Sequence, residues 1–178
     1  MRNYRSCFRP ALAGTILFLV LGSAGAQTPA DNAMDRATLI INESSTIGDL
    51  RAIGRAQTEY RAANHGRYAP RLDCLSGPRG CIAGYKGGSL MEQPERLASP
   101  RNGYVRELHA AKTDASGALG YVTTAVPEAP SKTGVRAFCA DSAGRVCEVA
   151  GGAKAADLVE RLDAEPWVRC SAVCTDLH

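Results

Sequence analysis

The chain has 178 residues, the length of one domain with an additional segment. Its 21 lysines and arginines exceed its 18 aspartates and glutamates by three, and Arg2, Arg5 and Arg9 account for that whole excess. The rest of the chain carries 18 charges of each sign, so the positive net charge is no sign of a nucleic-acid partner or of an anionic membrane surface, and we expect no nucleic-acid partner.

The first 26 residues have the pattern of a secretory signal peptide. The three arginines precede an apolar run, Ala11–Leu21, and Ala24-Gly25-Ala26 then forms a small-residue cleavage site. As a helix the run would span only about 16 Å, against a bilayer core of about 30 Å. We therefore expect cleavage after Ala26, no stable membrane insertion and a periplasmic or secreted mature protein. The alternative is a retained N-terminal membrane anchor.

A long amphipathic helix is predicted for residues 31–64, a stretch without proline. One face of this helix, about 160° wide, carries the apolar side chains of Ile40, Ile47, Leu50, Ile53 and Tyr60. His65-Gly66 predicts the end of the helix, because Gly66 can adopt the left-handed conformation. A solvated edge is indicated by the charged side chains of Arg51, Arg55 and Glu59.

The chain after the helix divides into a loop, a β-rich region and a C-terminal tail. Residues 67–101, rich in glycine, proline, serine and arginine, predict an ordered loop with one helical turn at Leu90–Leu97. Beyond Gly103, alternating apolar and polar residues separated by turn sequences predict about four antiparallel strands in a meander. We assign residues 27–152 to one α+β domain. Residues 153–178 form a tail with a predicted short helix over 153–162 and a docking anchor at Trp167.

The last predicted hairpin determines which residues face each other. If Asp141-Ser142-Ala143-Gly144 forms a type I turn with Gly144 left-handed, Asp141 pairs with Arg145. Cys139 then lies directly opposite Cys147. Such opposite Cβ atoms are about 4.5–5.5 Å apart, a separation that a disulfide can close.

The cysteines of the mature chain predict disulfide bonds. Cys7 leaves with the signal peptide, and six cysteines remain: Cys74, Cys81, Cys139, Cys147, Cys170 and Cys174. An even number of cysteines in an exported chain favours disulfide bonds over free thiols. We predict bonds between sequence neighbours, although other pairings are open. The C-x3-C-x3-H arrangement of Cys170, Cys174 and His178 is a conceivable zinc corner. We expect no metal there, since a fourth ligand would have to come from His65 or His109.

Several short motifs of the chain occur in a characteristic order. They are Asn42-Glu43-Ser44-Ser45, Leu50-Arg51-Ala52-Ile53, Gly66-Arg67-Tyr68-Ala69-Pro70, Leu97-Ala98-Ser99-Pro100, Gly120-Tyr121-Val122 and Arg136-Ala137-Phe138-Cys139. Over about residues 35–150 the chain thereby resembles type IV pilins and type II secretion pseudopilins. The resemblance implies a pilin-like α+β fold, with one long N-terminal helix packed across an antiparallel sheet.

The chain departs from that family at its N-terminus. Pilins begin with a Gly-Phe-Thr-Leu-Ile-Glu signature and an apolar stem, whereas here Gly14 is followed by Thr15-Ile16-Leu17 and the apolar run contains no glutamate. In the family that glutamate neutralises the terminal amine of a neighbouring subunit inside the filament, where an unpaired charge is costly. The chain therefore resembles a pilin head that carries an ordinary secretory signal in place of the stem.

No pattern in the sequence predicts catalysis or a cofactor. His65 and His109 belong to no nucleophile motif, and neither G-x-S-x-G nor G-x-x-x-x-G-K occurs. A partner contact is instead predicted at Leu39, Ile40 and Ile41, which cover more than one helix face and would be exposed if the helix projects from the head. The alternative is that the helix folds down, or that Met34 and Leu39 pack on the tail around Trp167.

The resemblance and the motifs together predict an exported, non-catalytic pilin-like protein that acts by protein–protein contact. It would be an accessory of a type IV pilus or of a type II secretion system, with pilin or pseudopilin subunits or its own copies as partners. One alternative is a soluble periplasmic binding or accessory protein that uses a pilin head for an unrelated ligand. A secreted enzyme or inhibitor is the third hypothesis.

Overall fold

The computed structural model describes residues 29–150, 154–161, 168–171 and 175–177. The signal peptide and its cleavage site, Trp167, Cys174 and His178 lie outside these residues, so the expectations for them stay predictions. Among the described residues, no helix combines the length and the apolar content that crossing a membrane requires.

The predicted long helix is present as α1, Pro29–Ala63. It ends where Gly66, at φ 85°, is left-handed and donates its N–H to the Arg61 carbonyl at 3.0 Å. Leu50, Ile53 and Tyr60 are each at most 1% exposed. No described side chain of residues 33–41 is buried, whereas Glu43 and one face of α1 after it pack on the rest of the protein.

The four predicted strands form the expected antiparallel meander, and a fifth strand extends the sheet. Its strands, in their order across the sheet, are β1 (Tyr104–Asp114), β2 (Gly117–Pro127), β3 (Arg136–Asp141), β4 (Val146–Ala150) and β7 (Thr175–Asp176). β7 was not predicted; it comes from the tail and pairs antiparallel with β4.

The buried face of α1 is divided between the sheet and the loop that follows the helix. Leu50 packs against Tyr104 and Phe138 on the sheet. Ile53 and Tyr60 pack instead in a cluster formed with residues of that loop, which include Leu75, Ile82 and Met91. The prediction that the whole face would lie on the strands is therefore correct only for its middle part.

The loop after α1 is ordered by short helical turns and by one buried amide. It contains α2 (Asp73–Ser76) and two 3-10 turns, Pro78–Gly80 and Pro94–Leu97, the second of which covers half of the predicted helical turn. The side chain of Gln57, which is fully buried, accepts the N–H of Ala69 at 2.9 Å and donates to its carbonyl at 3.2 Å. This pair of hydrogen bonds attaches the start of the loop to α1.

The tail packs on the other face of the sheet and differs from its prediction. In place of a helix over 153–162 there is a 3-10 turn, Ala155–Leu158, followed by β5 (Val159–Arg161), which pairs antiparallel with β6 (Val168–Cys170). Leu158 and Cys170 are buried against Cys139, whose side chain points to the face opposite that of Phe138. Valines at the strand positions favour extended backbone over helix.

A buried carboxylate connects α1 to β1 and to the loop before it. Asp49, 2% exposed, binds Arg106 at 2.8 Å, Arg101 at 3.1 Å and Arg96 at 3.3 Å. The Arg106 side chain is fully buried, whereas those of Arg96 and Arg101 are each about one-third exposed.

Candidate functional site

We call the sheet, the loop after α1 and the part of α1 from Glu43 onward the head. A network of hydrogen bonds fixes the point where α1 enters it. The Glu43 carboxylate accepts the N–H groups of Val135 at 2.8 Å and Arg136 at 3.0 Å, and it binds the Arg136 guanidinium at 2.7 Å. One residue earlier, the Asn42 amide donates to the Thr133 carbonyl at 2.9 Å. These bonds set the direction in which the preceding part of the helix leaves the head.

The predicted contact residues lie on this preceding part. Ile40 and Ile41 are 63% and 62% exposed, Met34 is 74% exposed and Leu39 is half-buried. At about 100° per residue, Met34 and Ile41 share a face that lies on the opposite side of the helix from Glu43, and therefore away from the head. We call Met34, Leu39, Ile40 and Ile41 the helix-end patch. The alternative in which Met34 and Leu39 pack on the tail around Trp167 involves a residue outside those that the structure describes, and it stays a prediction.

The Glu43 network predicts an acid-dependent loss of stability. Burial alone would raise the pKa of Glu43, but the hydrogen bonds from Val135 and Arg136 outweigh it and hold the pKa below its ordinary value of 4.5. The stabilisation is therefore fully present above pH 4.5 and is lost as the pH falls through the lower pKa of the folded state. We expect Glu43→Gln to lower the free energy of unfolding by about 1–3 kcal/mol at neutral pH. The variant should also lose less stability than the parent protein as the pH falls through the acid range.

Denaturant titrations of the parent protein and of Glu43→Gln, at a series of pH values on either side of 4.5, measure this effect. The difference between the two unfolding free energies should shrink on the acid side. A difference that stays constant with pH would contradict the assigned role of the carboxylate.

The predicted disulfide residues fall into two groups. Cys74 and Cys81 are bonded, as predicted for sequence neighbours. Cys139 lies opposite Cys147, and the Asp141–Arg145 pair closes the hairpin with Gly144 left-handed at φ 81°, so the predicted register is confirmed.

The predicted bond between Cys139 and Cys147 is wrong, because Cys139 is bonded to Cys170. The Cys147 sulfur lies 3.0 Å from that of Cys139. β6 crosses the face of the sheet and is held there by the bond from the Cys170 N–H to the Asp141 carboxylate at 3.2 Å. A sulfur atom forms only one disulfide bond, and the position of β6 brings Cys170 to Cys139, which is why Cys139 is not bonded to Cys147.

The sulfur atoms of Cys139, Cys147 and Cys170 all lie within 4.8 Å of one another, and all three residues are buried. Thiolates at these positions would be suitable zinc ligands. The bond between Cys139 and Cys170 takes two of the three sulfurs out of the thiolate form that a metal requires. The arrangement of the oxidised protein therefore favours a structural role for this cluster.

A second surface was not predicted from the sequence. A groove of about 500 Å³ runs between α1 and the β3–β4 turn, with Arg51, Arg55 and Arg61 on the helix and Arg145 on the turn. We call it the arginine groove. The sequence assigned Arg51 and Arg55 to a solvated edge, and their spacing of four residues was the only local sign of a common surface. Arg145 joins them only through the fold.

The fold and these surfaces define a class: an α+β protein in which one long helix lies on a five-stranded antiparallel sheet, with disulfide bonds and an exposed apolar helix end. Comparison of the chain with protein-family models, with curated proteins and with solved structures finds no match in any of the three.

Proposed function

We propose that this chain is an exported, non-catalytic, pilin-like protein that acts by protein–protein contact through the helix-end patch. Its partners would be pilin or pseudopilin subunits or its own copies, and it would serve as an accessory of a type IV pilus or a type II secretion system. The observation that carries the proposal is the exposure of Met34, Ile40 and Ile41 on a helix whose later part packs on the head.

The helix end is suited to such a contact because it is apolar, regular and held in a defined direction. The exposed residues 33–41 extend about 14 Å along the helix axis, at 1.5 Å per residue. A helix that offers apolar side chains seven residues apart on one face can dock in a groove or against another helix. Val135, which is 49% exposed and bonded to Glu43, adds apolar surface where the helix enters the head.

The proposal predicts that charges on the outward face abolish the association. We expect Met34→Glu combined with Ile41→Glu to weaken the contact by at least about 100-fold, because burial of each side chain is worth about 1.5–3 kcal/mol. The fold should be unaffected, since both residues are largely exposed. The measurements are co-fractionation with sheared filaments and with secretion complexes of the producing cell, and self-association by ultracentrifugation.

Arg36→Glu is the matched control. It changes the net charge by the same two units, it is exposed, and it lies seven residues before Glu43 on the other side of the helix. This variant should still associate. A parent protein found only as a soluble monomer would contradict the proposal and favour the binding-protein alternative, for which the arginine groove is the specific observation.

A further inference from the structure

The arginine groove carries an excess of positive charge. Its three helix arginines extend about 15 Å along α1, and Arg145 faces them from the turn. Among the described lining residues there is one carboxylate, Asp141, which is 1% exposed and already binds Arg145 at 2.6 Å and the N–H of Ala143 at 3.1 Å. Among the described residues, no carboxylate lies within 4 Å of Arg51, Arg55 or Arg61.

A tyrosine hydroxyl in the lining lacks a partner among the described residues, and this points independently to a ligand. Tyr121 is 3% exposed, and no described residue hydrogen-bonds to its hydroxyl, whereas the neighbouring Tyr68 donates to the Ser142 carbonyl at 3.2 Å. The Tyr121 hydroxyl lies beside Gly54, another lining residue, where an added Cβ would be 3.7 Å away. Burial raises the pKa of Tyr121, so the group is a neutral donor at physiological pH. An acceptor from a ligand in the groove would take the place of water at this hydroxyl.

The rest of the lining narrows the class of ligand. Ala143, which is exposed, and the edge of Val146 contribute apolar surface between the charged walls. Arg51 and Arg55 are about 6 Å apart along the helix axis, close to the roughly 6.6 Å that separates alternate residues of an extended peptide. Carboxylates accept two parallel hydrogen bonds from arginine and one from a tyrosine hydroxyl. A single-stranded nucleic acid would offer no apolar side chains to this surface, and such ligands are commonly bound by stacking of their bases on exposed aromatic rings.

We propose that the arginine groove binds an extended peptide segment of a partner protein in which acidic and apolar residues alternate. The carboxylates bind Arg51 and Arg55, one acceptor meets the Tyr121 hydroxyl, and the apolar side chains lie on Ala143 and Val146. Arg145 and Asp141 form the far wall. This surface is separate from the helix-end patch, so the two proposals stand or fall independently.

The test uses the purified, disulfide-bonded protein and a fluorescent hexapeptide of alternating aspartate and leucine, with an asparagine version of the same peptide as the control ligand. We expect the aspartate peptide to bind more tightly and to weaken as salt is added. Arg51→Gln and Arg55→Gln should each reduce the affinity about tenfold. Tyr121→Phe should reduce it about fivefold without lowering the melting temperature, which a purely structural role of Tyr121 would not produce.

Arg36→Gln is the matched control variant, because it removes an exposed arginine of the same helix outside the groove. It should leave the affinity unchanged. The proposal is overturned if the aspartate peptide does not bind, or if its binding is insensitive to Arg51→Gln and Tyr121→Phe. It is equally overturned if a single-stranded oligonucleotide binds more tightly, or if Arg51 instead mediates self-association of the protein.

Discussion

Replacing Asp49 with asparagine is expected to lower the free energy of unfolding by about 3–5 kcal/mol, because it leaves a buried guanidinium without its counter-charge. Arg106 has no exposed side-chain surface and lies 2.8 Å from the Asp49 carboxylate. Burial lowers the pKa of Arg106, and Asp49 opposes that shift. Without the carboxylate, the site would hold three arginines and no counter-charge, and Arg96 and Arg101 would repel Arg106.

Urea titration followed by circular dichroism measures this loss. The matched control is Asp73→Asn, which removes an ion pair of similar length, 3.0 Å to Arg71, whose two side chains are 69% and 66% exposed. That control should cost less than about 1 kcal/mol. Adding Arg106→Met to Asp49→Asn should recover part of the stability, because the unpaired buried charge is then gone. A cost of Asp49→Asn no larger than that of Asp73→Asn would show that the buried pair is not what holds α1 to β1.

Loss of the Cys139–Cys170 bond is expected to cost about 4 kcal/mol, against about 2.5 kcal/mol for the Cys74–Cys81 bond. The difference follows from the closed loops, since the bonded residues are 31 positions apart in the first case and 7 in the second. A longer loop removes more conformational entropy from the unfolded chain. Cys139→Ser should therefore cost as much as the double variant with Cys170→Ser, whereas Cys170→Ser alone should cost less where Cys139 then bonds to Cys147, whose sulfur lies 3.0 Å away.

Peptide mapping without reduction tests the same bond directly. Tryptic cleavage after Arg145 separates Cys139, in peptide 137–145, from Cys147, in peptide 146–154. Cleavage after Arg169 places Cys170 in peptide 170–178. We expect peptide 137–145 to be joined to peptide 170–178. Peptides 137–145 and 146–154 joined to each other, with 170–178 separate, would restore the pairing that the hairpin register suggested.

The features that the sequence predicted correctly depend on residues close together in the chain. The end of α1 follows from Gly66, and the β3–β4 register follows from the turn at Asp141 and Gly144. The four meander strands are consecutive in the chain, and short turns connect β1 to β2 and β3 to β4, so each finds its neighbour without help from distant segments. The exposed apolar helix end was predicted at Leu39, Ile40 and Ile41, and the structure shows exposure chiefly for the two isoleucines.

The features that the sequence did not reveal join segments that are distant in the chain. Asp49 and Arg106 are 57 residues apart, and neither position has a local pattern that predicts a buried ion pair. The tail gained β5, β6 and β7 because its weak helical preference yielded to pairing and burial on the sheet.

By itself, the sequence determined that one amphipathic helix is followed by an ordered loop and a β-meander, because periodicity and turn residues act over a few positions. Only the tertiary structure decided that Cys139 bonds to Cys170 and that Arg145 lies across a groove from Arg51. Such contacts form only when distant segments come together, which costs conformational entropy, and the packing of the whole chain determines which of the possible contacts form.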